Sequence, residues 1–170
     1  MKFMIIGIAG PLAVGKDTLA GILVERGFVN YSYGDILRRI CEERGLPKDI
    51  PNLVKVADEL RAKDPAVLTK MLLAKIKTDG TKDAVLSGIR APAEALELIK
   101  EPGFVLVWID APIEMRYGRL AGRGEERDHL SFDEFKAREE QQMKGINTHI
   151  NLSEIRKLAN VTIVNTGDKE

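Results

Sequence analysis

Residues 2–9 (KFMIIGIA) are apolar at nearly every position and run straight into Gly10-Pro-Leu-Ala-Val-Gly15-Lys16-Asp17-Thr18. A strand that is apolar on both faces has to be covered on both faces, the condition of a central strand in a parallel sheet flanked by helices. Further strand-like runs stand at 28–33, 84–88 (AVLSG), 104–109 (FVLVWI) and 161–164. Helical spacing fills the intervals. It predicts helices over 16–26 (Leu19, Ile22 and Leu23 on one face, ended by Gly27), 35–44 (closed by Gly45) and 52–77 (broken near Pro65). Others follow at 93–100, 113–121, 131–143 and 152–158. Five strands alternating with helices predict a three-layer α/β/α fold on a five-stranded parallel sheet with right-handed crossovers.

At 170 residues the chain reads as one domain, 1–170. Hydrophobic residues make up 44% and charged residues 31%, enough apolar material for a packed interior. Lys plus Arg and Asp plus Glu both number 26, so no global charge draws the chain to nucleic acid or membrane. One cysteine, Cys41, excludes a disulfide framework, and there is no 18-residue apolar run. These features predict a soluble cytoplasmic protein without nucleic-acid or membrane partners. No internal repeat or low-complexity tract is present. Segments 36–77 and 117–150 read as inserts rather than scaffold.

The loop at 10–18 carries the strongest chemical signal. Gly10 and Gly15 permit backbone conformations that turn several N–H groups toward one anion. The helix that follows presents its positive end to the same point. Lys16 adds a charge suited to the outer phosphates of a nucleotide. The candidate nucleotide-binding residues are therefore Gly10, Ala13, Val14, Gly15, Lys16, Asp17 and Thr18. The strict phosphate-loop pattern places Ser or Thr directly after the Lys. Here Asp17 stands there and Thr18 comes one place later. A plain strand-to-helix turn would explain the glycines alone, but not the glycines, the Lys, the Thr and the flanking elements together. This GK-x-T ending resembles the nucleoside monophosphate kinase branch of phosphate-loop proteins. Adenylate kinases, deoxynucleoside monophosphate kinases and dephospho-coenzyme A kinases belong to that branch.

The resemblance extends along the chain. Ser32-Tyr-Gly34-Asp35-Ile-Leu-Arg38 is similar to the segment that opens the acceptor-binding arm of adenylate-type kinases, which implies an arm at about 36–77 and acceptor contacts by Gly34, Asp35 and Arg38. Residue chemistry alone offers Asp35 as a helix N-cap and Arg38 as a solvated face. Gly88-Ile-Arg90 resembles a phosphate-contacting turn of the same kinases, and it lies at a strand's carboxyl end, where open α/β sheets bind ligands. Many members carry Asp before that Gly, where this chain has Ser87. Asp17, Asp35 and Asp110 are the alternative carboxylates. Arg61 either reaches the acceptor or pairs within its helix, with Asp58 or a neighbour of Glu59.

Arg116, Arg119, Arg123 and Arg127 fall close together, the first three at spacings of three and four that share a helix face. Arg119-Leu-Ala-Gly-Arg123 looks like the R-x-x-G-R that opens an adenylate kinase lid, which implies a lid at about 117–142. The competing reading is a basic helix end complementing its dipole, with Glu125, Glu126 and Asp128 pairing the rest. Arg138 follows a capping box, Ser131 to Glu134, and is either a lid ligand or solvated. No cysteine lies near, so a zinc-stabilised lid is not expected, and neither His129 nor His149 is a candidate ligand or base. Asn165 and Gly167 resemble the turn that meets adenine, or are simply a turn. Trp108 and few other aromatics give no basic–aromatic surface of the nucleic-acid type.

Taken together the resemblance implies strand order 2-3-1-4-5 and a kinase that moves the γ-phosphoryl of ATP-Mg²⁺ to a nucleoside or deoxynucleoside monophosphate. Lys16, Arg90, Arg119 and Arg123 would stabilise the transfer. Gly34, Asp35, Arg38, Arg61, Arg90, Arg127 and Arg138 would hold the acceptor, and Arg119, Asn165 and Gly167 would join the nucleotide contacts. Thr18 and Asp17 would serve Mg²⁺. If the acceptor is instead a hydroxyl, as in a dephospho-coenzyme A kinase or a related small-molecule kinase, a base is required, and Asp17 or Asp35 would supply it. A reading of another class is a nucleotide-binding regulatory ATPase without acceptor. Either a monomer or a homodimer is compatible with the sequence.

Overall fold

A computed structural model describes residues 4–122, 130–146 and 149–167. The five strands are β1 (Met4–Ala9), β2 (Val29–Ser32), β3 (Asp83–Ser87), β4 (Phe104–Asp110) and β5 (Val161–Val164). All pairings are parallel, in the order β2-β3-β1-β4-β5, as the resemblance implied. β1 lies at the centre, hydrogen-bonded to β3 on one side and β4 on the other.

Strand alternation sorts side chains between two cores. On one face Ile5, Leu86, Leu106 and Trp108 pack into the larger cluster. On the other, Ile8, Val85, Val107 and Ile109 form a second cluster. Helix α1 (Lys16–Glu25) adds Ala20 to the second cluster. The larger one is covered by α2 (Tyr33–Glu43), α4 (Val67–Thr78), α5 (Pro92–Ile99) and α8 (Leu152–Leu158), through Ile36, Leu72, Leu98 and Ile155. The remaining helices are α3 (Ile50–Lys63), α6 (Ile113–Ala121) and α7 (Phe132–Lys144). A third, small cluster joins Ala13 of the loop after β1 to Leu120 of α6 and Phe135 of α7.

Helix starts differ from the sequence expectation where an earlier residue caps first. α2 begins at Tyr33 because Ser32 is its N-cap, its Oγ accepting from Gly34 N at 3.1 Å. Asp35 therefore sits in the first turn rather than at the cap. α3 starts at Ile50, capped by Asp49, whose Oδ1 accepts from Asn52 N at 2.9 Å. The break near Pro65 separates α3 from α4, with Asp64 accepting from Ala66 N at 3.0 Å. Ser131 and Glu134 make the expected capping box at the start of α7. Among the described residues no helix is long and apolar enough to cross a membrane.

Within the stretch 36–77, α4 is part of the scaffold: Leu68, Leu72, Leu73 and Ile76 are buried against the sheet. Leu72→Ala is therefore expected to lower the unfolding free energy by about 2–5 kcal/mol in urea titrations. Val54→Ala on α3, where the residue is 52% exposed, should stay within about 0.5 kcal/mol. Equal losses at the two positions would contradict this assignment of α4.

Candidate active site

The loop between β1 and α1 holds three residues with positive φ: Gly10 at 153°, Ala13 at 59° and Gly15 at 101°. Among the described residues Ala13 is the one positive-φ residue that is not glycine. A Cβ on Gly10 would lie 2.4 Å from the carbonyl oxygen of Ile109, and one on Gly15 would lie 2.6 Å from Nδ2 of Asn165. Gly10 thus requires glycine for space as well as for conformation, and Gly15 for conformation, since a Cβ there would meet only the end of the Asn165 side chain. Asn165 Nδ2 donates to Val14 O at 2.9 Å, which pins the loop to the turn after β5. Gly15 is the N-cap of α1 and offers no side-chain cap, so the helix's first N–H groups are left for an incoming anion. Lys16 Nζ crosses the loop and donates to Gly10 O (2.9 Å) and Pro11 O (2.6 Å).

This loop forms one wall of a cleft of about 440 Å³. Leu37 of α2 with Leu53, Val54 and Ala57 of α3 makes an apolar wall. Ser87, Gly88 and Arg90 at the end of β3 form the floor, and Arg138 and Gln142 of α7, four apart on one helix face, close the side. The sequence reading singled out Arg138 but missed Gln142, which the same i, i+4 spacing could have added. Asp17 also lines the cleft and Thr18 does not, although both are exposed in the first turn of α1.

Four arginines, Arg38, Arg61, Arg90 and Arg138, line the cleft. Burial holds the Arg90 guanidinium below its ordinary pKa, the Arg138 and Arg61 charges push it the same way, and Glu94 opposes them. An arginine stays protonated under such a shift, so the result is a concentrated positive field. Among the described residues neither Arg90 nor Arg138 has a carboxylate bonded to its side chain. Arg61 does: Glu94 Oε1 accepts from its Nε (3.0 Å) and Nη2 (2.8 Å). The pair within α3 that the sequence suggested does not form, because Arg61 follows buried Ala57 by one helical turn and is itself 5% exposed. Glu59 pairs instead with Arg44, at 2.8 Å. Glu94 was not singled out from the sequence. Its signal was present in Ala91-Pro-Ala-Glu94, where a Glu three residues after the N-cap reaches back to the N-cap N–H.

Arg38 lines the cleft and pairs with Asp35 at 2.6 Å. Gly34 lies beneath it, since a Cβ there would come within 3.2 Å of Arg38 Nη1. Tyr33 also lines the cleft, and its buried hydroxyl bonds Thr69 Oγ1 at 2.6 Å. Burial, then the Glu94 charge, raises the Tyr33 pKa, so the phenol stays protonated. Ser87, in the position where related turns carry Asp, is buried and donates to Asn30 Oδ1 at 3.4 Å. Of the alternative carboxylates, Asp35 is held by Arg38, and Asp110 accepts from Ala111 N (2.9 Å) and pairs with Arg156 (3.0 Å). Asp17 has no hydrogen bond or ion pair among the described residues.

The arginines of α6 separate to different tasks rather than sharing a face. Arg116 is 3% exposed, donates to Ala111 O (2.9 Å) and Leu12 O (3.3 Å), and pairs with Glu139 of α7 through both terminal nitrogens. Arg119 turns toward the segment after β5, donating to Asn165 O (3.1 Å) and Gly167 O (2.9 Å). Arg123 and Arg127, with Glu125, Glu126, Asp128 and His129, lie outside the described residues. Asn165 and Gly167 thus lie against the loop through Val14 and against α6 through Arg119.

The sequence and the fold have counterparts among known proteins. A family model described as an AAA domain matches residues 6–144, from β1 through α7. A UPF0200 protein of Pyrobaculum aerophilum is 34% identical over 162 residues, covering 95% of this chain and 87% of that protein. The shikimate kinase of Bacteroides thetaiotaomicron superposes with a TM-score of 0.64 at 13% identity, over 98% of this chain and 90% of that one. A dephospho-coenzyme A kinase from Campylobacter jejuni superposes with a TM-score of 0.50 at 20% identity, over 96% and 89%. Those structural likenesses are of fold, a phosphate-loop kinase-like α/β fold. By sequence along nearly its whole length, the chain belongs to the UPF0200 family.

Proposed function

We propose that the protein transfers the γ-phosphoryl group of ATP to a small acceptor that joins an anionic group to an apolar body, a nucleoside or deoxynucleoside monophosphate. One observation carries the reading. Arg90 and Arg138, without carboxylate partners among the described residues, line the same cleft as the phosphate loop and the aliphatic residues of α2 and α3. The loop and the uncapped start of α1 would take the donor's phosphates. Arg90 and Arg138, with Arg38, would take the acceptor's phosphate, for which a guanidinium offers a planar fork of donors. Arg61 and the nearby Gly34 and Asp35 would complete that side.

In this mechanism Lys16 leaves the carbonyls of Gly10 and Pro11 for the transferring phosphate, where it offsets charge as the bond to the leaving diphosphate lengthens. An acceptor phosphate is already ionised, so no base is required. Arg119, at the turn formed by Asn165 and Gly167, would flank the donor nucleotide, and Arg123 and Arg127 would act from the segment after α6. The first turn of α1 fits Mg²⁺: the Thr18 hydroxyl and the Asp17 carboxylate are hard oxygen donors, and this ion is commonly held by one or two such groups plus nucleotide phosphates. When bound, it would neutralise part of the charge on the β- and γ-phosphates.

A second reading, transfer to a hydroxyl, is favoured by Asp17. It lines the cleft without a partner, as a base would, and two structural neighbours named above are by name kinases of shikimate and of dephospho-coenzyme A.

ADP formation from ATP-Mg²⁺ across a panel of nucleoside monophosphates, dephospho-coenzyme A and no acceptor tests the proposal. Stimulation by one monophosphate is expected. Arg90→Met should then lower kcat/KM for that acceptor about 10–100-fold, with ATP binding changed less than about twofold. ADP release indifferent to every acceptor would contradict the proposal and leave a regulatory ATPase. Asp17→Asn separates the two chemistries. A phosphate acceptor predicts an unchanged acid limb of the pH profile and a loss that raised Mg²⁺ recovers. For a hydroxyl acceptor the loss is about 10²–10⁴-fold, with that limb gone and ATP binding intact.

A further inference from the structure

We infer that Glu94 is a positioning residue for the acceptor, a buried carboxylate that locks the Arg90 turn to helix α3 through Arg61. The inference rests on reading the cleft as an acceptor site. Glu94 divides its two oxygens between two elements. Oε2 accepts from the backbone N–H groups of Arg90 (3.1 Å) and Ala91 (3.0 Å). Oε1 accepts from Arg61 Nε and Nη2. All four acceptor positions of the carboxylate are thereby used.

The backbone on either side of Arg90 is closed in. Ile89 and Ala91 are both 2% exposed, and Gly88 turns the chain with φ of 99°. Pinning the Arg90 N–H therefore fixes the direction in which its side chain leaves the chain. Glu94's own carbonyl is held as well. Thr69 Oγ1 of α4 donates to it at 3.3 Å, which leaves the Thr69 oxygen to accept from the Tyr33 hydroxyl of α2. Glu94 of α5 thus bonds α3 through Arg61 and α4 through Thr69, which in turn bonds Tyr33 of α2.

Charge points the same way. A fully desolvated ion pair is weak support for stability, because desolvation offsets its Coulomb energy. This one does something an apolar pair would not. At Arg90 the negative charge of Glu94 opposes the repulsion from Arg138 and Arg61. The cleft keeps a net positive field for an anion, while Arg61 is held by its Nε and Nη2.

Two variants test this: Glu94→Gln, and the double variant Arg61→Met/Glu94→Gln. The double variant removes both buried charges, and its amide oxygen can still accept from the backbone N–H groups, so it should fold. With ATP-Mg²⁺ and the monophosphate panel, both variants are expected to raise the acceptor KM about 10–100-fold, with kcat within about tenfold and ATP affinity within about twofold of wild type. A residue that merely stabilises the fold would lower the active fraction, and so kcat, without moving KM. A folded double variant with an acceptor KM within twofold of wild type would overturn the inference. If the wild type shows no acceptor-dependent turnover, the functional reading fails, and amide hydrogen exchange decides the clamp. Exchange at Arg90 and Ala91 accelerating at least tenfold in Arg61→Met/Glu94→Ala, which removes the hydrogen-bond acceptor without leaving a buried charge, relative to the rest of α5, supports it, and unchanged exchange overturns it.

Discussion

A loop that offers its backbone N–H groups to a phosphate has to find donors elsewhere for its own carbonyls, and the rest of this structure is arranged around that need. Gly10 O and Pro11 O accept from Lys16, Leu12 O from Arg116 of α6, and Val14 O from Asn165 after β5. Each donor comes from a different part of the chain. The strands that bring them there, β4 and β5, are held in register beside β1 by continuous ladders. The positive φ values at Gly10, Ala13 and Gly15 are sustained because these contacts over-determine the loop.

The same donors organise the other half of the cleft. Arg116 reaches Glu139 from the residue that also bonds Leu12, so the loop and α7 are fixed to one side chain. Phe135 anchors α7 in a small apolar cluster, and Arg138 and Gln142 face the cleft as a consequence. Across from them, Glu94 holds the Arg90 turn. The Arg61–Glu94 pair is buried and the Arg116–Glu139 pair half-buried, and among the described residues Arg90 and Arg138 line the cleft with no carboxylate bonded to them.

Much of this was legible in the sequence. Apolar runs marked all five strands: β1, β3 and β4 because central parallel strands are largely buried on both faces, β2 and β5 although these edge strands are largely exposed. The loop was legible because glycine, lysine and threonine at that spacing serve one chemistry. Arg90 and Arg138 were legible as candidates from position and residue type. The pairing of Arg61 was not, since its partner lies 33 residues away and only the packing of α3 on α5 brings them together. Arg116 and Arg119 read as equivalent because they are three apart. A helix step of three carries side chains about 60° from alignment, enough here to send one inward and the other to the β5 turn. The N-cap of α2 was misplaced because two capping residues, Ser32 and Asp35, stood close together and the earlier one won.

The central claim is that donor and acceptor occupy one cleft, with the phosphate loop at one end and Arg90 and Arg138 at the other. Calorimetric binding of a bisubstrate compound, two nucleosides joined by five phosphates, tests it most directly against ATP alone. The account predicts affinity at least about 100-fold above that of ATP, an advantage of about 2.7 kcal/mol, and its loss in an Arg90→Met/Arg138→Met variant that still binds ATP. Affinity equal to that of ATP, or an advantage that survives the double substitution, would contradict it.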